Sequence, residues 1–350
     1  MQCDLFTEIQ CPPGSSPSTR LEEFLQQAEL ADRLGFGTYW VAEIHCQPKF
    51  SLLSAPYVAL GAAAQRTKKL RLGVAVNTLP VHHPVHLAEQ AAMLDLVSHG
   101  RMAFAAGGGH PHSRAYECFG ADHTSTHKIM AEGLEVIRKA WSEETLTFNG
   151  EFFQIPEVVV NPKPVQKPLP PFYMATSSLD GVEVSARLGL NLMLPIHTRT
   201  PEQVVEYATA YWYGLATHGH DRQGKELALL APIHLAPTTA GARARAEAGV
   251  MSYFKIIADM RLDYIDWLKR RGDELPARLR SAAGAPVSFE TVCAKHAVIG
   301  DSQTAIETLK SLAQQTGASQ LLAWFNIGSL PQALVMAAME QFAAEVMPHL

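Results

Sequence analysis

Short apolar runs alternate with amphipathic stretches from one end of this chain to the other, and that rhythm restricts its fold more than any other feature. The first run is Cys3–Ile9, bounded by the Pro/Gly/Ser-rich residues 11–17. Leu21, Phe24, Leu25, Ala28, Ala31 and Leu34 then recur at the spacing of one helix face, and Gly35 and Gly37 stop that helix. Thr38–Ala42, Leu70–Val76 and Arg101–Ala106 read as strands, separated by helices at 55–66 and 84–97. Pro84 sits in a first helical turn, where its missing N–H costs nothing. A strongly patterned helix at 126–141 follows, with Ile129, Leu134, Val136, Ile137 and Ala140 on one face. Phe172–Ala175, Leu190–Leu194, Leu227–Leu235 and Gln320–Phe325 are the later strands, and the helix 331–346 closes the series.

Eight strand–helix repeats predict a parallel sheet, and closure at eight predicts a (β/α)8 barrel. A doubly wound open sheet is the alternative. The first strand argues against it, because it runs into Pro and Ser and not into a GxGxxG turn. Three hundred and fifty residues suit one such barrel as a single domain over 1–350. Three segments stand outside the rhythm. Asn149-Gly150 between aromatic arms predicts a hairpin over 148–153, and 162–171 is a proline-rich extended linker. Residues 242–297 are too long for one helix and one loop, so an inserted lid or subdomain is expected between strands seven and eight. Its closing part is placed at Asp259–Val287, broken by Gly272, Pro276, Gly284 and Pro286.

Charge and cysteine usage narrow the function. Lys+Arg total 29 against 34 Asp+Glu, a net charge of −5 without a long basic run, which argues against a nucleic-acid scaffold. No apolar stretch reaches the ~18 residues of a membrane span, and MQCDLFTEIQ lacks the basic-then-apolar order of a signal peptide. Cys3, Cys11, Cys46, Cys118 and Cys293 are odd in number and widely spaced, so reduced thiols and a cytoplasmic location are expected.

In a barrel of this kind chemistry collects at the C-terminal strand ends. The residues there are Glu43 and His45, Asn77 and Thr78, Gly107–His110, Thr176–Ser178, Pro195–His197 and Asn326. Thr176-Ser177-Ser178, between a strand and a helix, suits a phosphate dianion through its hydroxyls and free N–H groups; it equally suits a plain N-cap. Gly107-Gly108-Gly109 permits close approach of a ligand to the backbone, or is simply a flexible loop. His82, His83 and His86, and likewise His110 and His112, lie close in sequence but lack partners at metal-site spacing, so no metal is expected. Ser177 has no GxSxG elbow around it. Trp267 and the aromatics near it are candidates for a substrate pocket, for lid core or for dimer packing.

Taken in order, Tyr39-Trp40-Val41-Ala42-Glu43-Ile44-His45, 70–76, Leu79-Pro80, His83-Pro84-Val85, Ala88-Glu89-Gln90, Leu94-Asp95, Ser98, Gly100-Arg101, Phe119-Gly120, Glu132, Phe148, Gly150 and 162–168 resemble the bacterial luciferase-like flavin monooxygenases over nearly the whole length. The resemblance implies a (β/α)8 barrel, usually dimeric, that binds FMN, or a deazaflavin in one branch, at its C-terminal face. Carried over by position, Lys128 matches a basic residue for the FMN phosphate, with Thr176, Ser177 and Ser178 beside it. Ala75–Val76 matches a non-prolyl cis peptide beneath the flavin ring, and Glu43, Gly107, Gly108 and Ala175 complete the expected cofactor site. Two positions depart from the pattern. Many relatives carry a His-His pair after the glutamate, where this chain has Ile44-His45, and many carry Arg where this chain has Gly108. Arg114 and His110 are candidates to replace that charge.

His45 is therefore the expected catalytic acid/base, since an imidazole can shuttle protons at neutral pH. The expected function is that of a two-component monooxygenase acting on an organic small molecule. It would take reduced FMN from a separate reductase and use O2 as co-substrate, as a homodimer with neither nucleic-acid nor membrane partner. The alternatives are a deazaflavin- or flavin-dependent dehydrogenase of the same superfamily, or a non-catalytic flavin-binding partner subunit.

Overall fold

The computed structural model describes residues 1–109, 114–275 and 287–350. His110 and His112, and Pro276, Gly284 and Pro286 of the expected lid, lie outside them. Strands run in chain order β1 (Gln2–Thr7), β2 (Thr38–Val41), β3 (Arg71–Thr78), β4 (Met102–Gly107), β5 (Leu146–Asn149) and β6 (Gln154–Val158). They continue as β7 (Phe172–Ala175), β8 (Asn191–Pro195), β9 (Leu227–Leu235), β10 (Val298–Gly300) and β11 (Gln320–Trp324). The helices are α1 (Pro17–Leu34), α2 (Pro56–Arg66), α3 (Pro84–Val97), α4 (Ala115–Phe119), α5 (Thr126–Ser142) and α6 (Leu179–Arg187). After them come α7 (Pro201–Thr217), α8 (Thr239–Arg271), α9 (Phe289–Lys295), α10 (Ser302–Thr316) and α11 (Gln332–Glu345).

β1, β2, β3, β4, β7, β8, β9 and β11 pair in parallel, and the β8–β9, β9–β11 and β11–β1 pairings close the ring. The expected (β/α)8 barrel is formed. β10 adds to β9 as an extra parallel strand, and β5–β6 is the antiparallel hairpin that Asn149-Gly150 predicts. Along β2 and β4 every side chain is buried, as expected of strands covered on both faces. Local chemistry sets the helix ends. Ser16 accepts a hydrogen bond from the Thr19 amide with Pro17 in the first turn of α1, and Gly35, at φ 85°, supplies the left-handed stop. Thr200 and Gln203 form a reciprocal capping box on α7.

The 242–297 region begins as one continuous helix. α8 spans 33 residues, and its middle turns pack on the barrel mouth, with Tyr253 edge-on to Trp324 at 4.8 Å. Its far end carries a separate small apolar cluster of Trp267 and Leu268 with Tyr264, Ile265 and Leu275. The expectation of free thiols fails for one pair. Cys46, just beyond His45, and Cys118 of α4 are joined as a disulfide across 72 residues, with Cα atoms 6.9 Å apart. Cys3, Cys11 and Cys293 are free. Sequence spacing is silent about this pair because tertiary packing alone brings α4 over the loop that follows β2.

Candidate active site

The C-terminal strand ends open into a cleft of about 520 Å³, within the usual range of small-molecule sites. Phe6, Leu230 and Leu322 supply apolar barrel wall, Ala75 and Val76 line it where β3 bends, and Tyr253, Phe254, Ile257 and Arg261 of α8 complete it. The Ala75–Val76 peptide is cis, as the resemblance implies. β3 also continues past the expected end at Val76 as far as Thr78, with a register irregularity between Val74 and Asn77.

Glu43 organises the polar side of the cleft. Its Oε1 accepts from His45 Nε2 at 2.7 Å and is also bound by His82 Nε2, while Oε2 accepts from the Thr78 amide at 2.7 Å. Burial alone would raise the Glu43 carboxyl. Hydrogen bonds from the two imidazoles, the charge of His82 and the Thr78 amide outweigh it and hold the group down to about 2. A buried, fully partnered carboxylate thus fixes two imidazoles, His45 and His82, whose ring centroids lie 6.1 Å apart. The edge of Phe119 packs on His45 at 4.9 Å. The three donor atoms of Glu43, His45 and His82 fall within 4.8 Å of one another, a spacing that also suits a cation. Here the groups satisfy each other, and proton holding or transfer is the simpler use of them.

A second, smaller cleft of about 290 Å³ shares Gly108, Gly109, Ala175, Thr176 and Ser177 with the first and adds Ser178, Tyr116, His123, Thr126, His127 and Tyr264. Ser178 is the N-cap of α6: its hydroxyl accepts from the Gly181 amide at 3.2 Å, so the plain capping reading holds for this residue. Thr176 and Ser177 stand ahead of the cap, where hydroxyls and a helix N-terminus together favour an anion. Arg199 Nε donates to the Ser177 carbonyl at 3.0 Å, placing a guanidinium at this end of the large cleft. Hydroxyls and a helix N-terminus at one end, with Ala75 and Val76 on the adjoining wall, fit a flavin: the apolar wall suits the ring system and the polar end a phosphate.

Gly108 is explained by its neighbours. A Cβ at Gly108 would stand 2.9 Å from Thr126 Cγ2, and Tyr116 donates its hydroxyl to the Gly108 carbonyl at 2.7 Å. A Cβ at Gly107 would meet Val76 Cγ2 at 2.7 Å. A side chain at Gly108, such as the arginine the resemblance implies, would have to displace Thr126. Of the two expected stand-ins only Arg114 is among the described residues. Arg114 is ion-paired with Glu117 away from both clefts, and His110 is outside the described residues.

Lys128 needs a correction. It lines neither cleft; its side chain is 68% exposed, with the ammonium 3.4 Å from Glu151. At this part of α5 it is His127, one residue earlier, that faces the small cleft. Adjacent helical positions point about 100° apart, so a one-residue difference moves a side chain from cleft to solvent.

A profile of the luciferase-like monooxygenase family matches residues 1–320. The chain belongs to that family. It is 26% identical to the oxygenase component of flavin-dependent trigonelline monooxygenase of Acinetobacter baylyi, over 99% of this chain and 95% of that protein. The fold superposes on monooxygenase RslO1 of Streptomyces bottropensis with a TM-score of 0.83 at 24% identity, covering 100% and 99% of the two chains. It also superposes on the oxygenating constituent of 3,6-diketocamphane monooxygenase from Pseudomonas putida, solved with FMN, with a TM-score of 0.81 at 18% identity over 100% and 98%. Like its relatives, this member of the luciferase-like family is a flavin-dependent oxidoreductase.

The structure thus brings together Glu43, Ala75, Val76, Gly108, Ala175, Thr176 and Ser177 around one cleft, and His45 reaches it only through its hydrogen bond to Glu43. Gly107 stands behind Val76 and Ser178 lines the small cleft. Sequence reasoning passed over His82, treating it only with its His neighbours as a metal candidate. His83 instead packs on Phe153 and His86 bonds Gln90. It also passed over Arg199, Tyr253 and Arg261. The helical spacing of 253, 257 and 261 was a readable signal, but only the position of α8 shows which face it serves.

Proposed function

We propose that this protein is the oxygenase component of a two-component monooxygenase, using reduced FMN from a separate flavin reductase and O2 on an organic small molecule. Reduced flavin supplies two electrons; one oxygen atom goes to the substrate and the other leaves as water. The chain's own residues do the rest. Thr176, Ser177, Ser178 and Arg199 would hold the phosphate, and Ala75 and Val76 would support the ring. Glu43 binds Nε2 of both His45 and His82 and so orients the two rings, leaving Nδ1 as the ring nitrogen that would hold or deliver a proton. α8 walls the cleft and limits water.

The observation that carries this reading is the convergence of the Glu43–His45–His82 cluster, the Ala75–Val76 bend and the Thr176–Ser178 turn on connected clefts, in a chain of this family. A homodimer is part of the proposal, supported by exposed apolar side chains on two neighbouring helices: Val58 of α2, and Met93, Leu96 and Val97 of α3. So is a cytoplasmic location. Among the described residues no helix is long and apolar enough to cross a membrane.

Anaerobic titration with FMN, reduced FMN and a reduced deazaflavin, followed by an air pulse under optical spectroscopy, tests it. Preferential binding of reduced FMN and its rapid reoxidation by O2 are expected. Tight binding of the deazaflavin without O2 consumption would establish the dehydrogenase instead, and failure to bind any flavin would leave a partner subunit.

A further inference from the structure

Arg261 lines the large cleft from α8 with two nitrogens, Nε and Nη2, that are shielded from water and have no hydrogen-bond acceptor among the described residues. Tyr253, Ile257 and Arg261 recur at i, i+4 and i+8 on one helix face, while the next residues, Leu262 and Asp263, are exposed. Burying guanidinium N–H groups without an acceptor is costly, so the site is complete only when something else supplies one.

No carboxylate of the cleft is free to do so. Glu43 is committed to His45, His82 and the Thr78 amide. Glu8 is buried and pushed up to about 8, so it is mostly uncharged at neutral pH. On α8 itself, Asp259 pairs with Lys255. Arg199 is likewise unbalanced, since its hydrogen bonds go to the carbonyls of Ser177 and Thr198. Among the described residues the cleft therefore holds two guanidinium charges without an ion-pair partner. One stands at the Thr176–Ser178 turn, where a flavin phosphate accounts for it; the other belongs to α8.

We propose that Arg261 is the recognition residue for an acidic group on the substrate. The substrate class is then an apolar or aromatic body, packed among Phe6, Leu230, Leu322 and Tyr253, that carries a carboxylate or a comparable oxyanion. The Tyr253 hydroxyl and His197 Nδ1, both buried without a partner, remain as neutral groups for orienting that body. His197 stays neutral because burial, with the charges of His296 and Arg199, pushes its imidazole down to about 3. The inference rests on the monooxygenase reading only in calling the acid a substrate; the anion site stands on its geometry alone.

The test is calorimetry on the FMN-loaded protein with benzoate and phenylacetate against their neutral amides, for the parent, Arg261→Gln and Arg261→Lys. Carboxylates should bind about ten- to a hundredfold more tightly than the amides, the usual worth of a charge-assisted contact. Arg261→Gln should abolish that preference while leaving amide affinity within about threefold, and Arg261→Lys should keep part of it. Equal binding of acids and amides by the parent overturns the proposal. So does an Arg261→Gln variant that weakens FMN but not riboflavin, which would assign the guanidinium to the flavin phosphate. If the protein binds no flavin at all, the function proposed above fails, yet the acid preference is still readable on the flavin-free chain.

Discussion

His45 Nε2 lies 2.7 Å from Glu43 Oε1, the same carboxylate oxygen that binds His82. Sharing one acceptor ties the placement of both rings to a single carboxylate. Ile44 stands where the resemblance implies a histidine, and the second imidazole on Glu43 is His82, which follows β3 in the chain.

The first prediction follows from that sharing. His45→Gln should leave FMN affinity unchanged, since glutamine keeps a polar side chain of similar reach. Product formation should fall by a factor on the order of 10²–10⁴, the share of one general acid/base. His82→Gln should cost less by itself, and the double variant should be less impaired than the product of the two single losses, as for groups acting as a unit. Steady-state product assays over pH check this. Turnover within about threefold of the parent in His45→Gln would make His45 structural.

A second prediction concerns the phosphate end. Because the Lys128 ammonium points to solvent and Glu151, Lys128→Ala should change FMN and riboflavin affinity by less than about twofold. Arg199→Gln should instead weaken FMN by about tenfold or more while sparing riboflavin, as expected for a lost charge beside a dianion. Fluorescence titration with both flavins measures it. A large FMN-specific loss in Lys128→Ala would restore that residue to the site.

Much of this architecture is legible in the chain because its signals are local. Alternating runs mark strands and helices, and Asn149-Gly150 marks a hairpin. The parts that escape reading are those set by packing between distant segments. The resemblance points to Lys128, but about one hundred degrees of helix rotation separates it from His127 and the cleft from solvent. Cys46 and Cys118, 72 residues apart, meet only because α4 settles beside the loop after β2. His82 hides within a histidine-rich stretch whose other members face elsewhere. The length of 242–297 suggests an inserted subdomain, whereas most of it is one helix, since no proline interrupts 239–271.

Glu8 supplies a third prediction, about stability and pH. It is buried in the cleft, with Gln10 its only side-chain partner among the described residues, and burial pushes its carboxyl from 4.5 up to about 8. The folded protein favours the protonated form, so this stabilising contribution is fully present below about 4.5 and is lost as pH rises through about 8. Glu8→Gln, which mimics the protonated form, should match the parent near pH 5 and exceed it by a few kcal/mol at pH 9, on the order of one to two per pKa unit. Urea unfolding at both pH values decides it. A constant difference between the two proteins would show that Glu8 does not titrate in this range.

The last prediction concerns how α8 closes the cleft. At ~1.5 Å per residue its 33 residues reach well beyond the barrel mouth. Its middle is fastened by Tyr253 against Trp324 and by the Ser252–Ser329 hydroxyl contact at 3.1 Å. Its far end is fastened separately: Trp267 packs edge-on to His123 at 5.1 Å, stacks on Tyr264 and lies 5.0 Å from the Arg271 guanidinium. Ile257 and Arg261 line the cleft between these two anchors. We therefore hold that α8 acts as a lid hinged at its barrel contact and latched at Trp267, which would exclude water during turnover. Trp267→Ala removes the latch without touching the main core, so the variant should stay folded and bind FMN within about threefold of the parent. With the far end free, reduced flavin should be spent increasingly on H2O2, and product formed per reduced flavin should drop several-fold. Trp267→Phe, which keeps an aromatic edge for His123, should recover most of the coupling. An unchanged ratio of product to H2O2 in Trp267→Ala would mean that the contact with His123 holds the helix for stability alone.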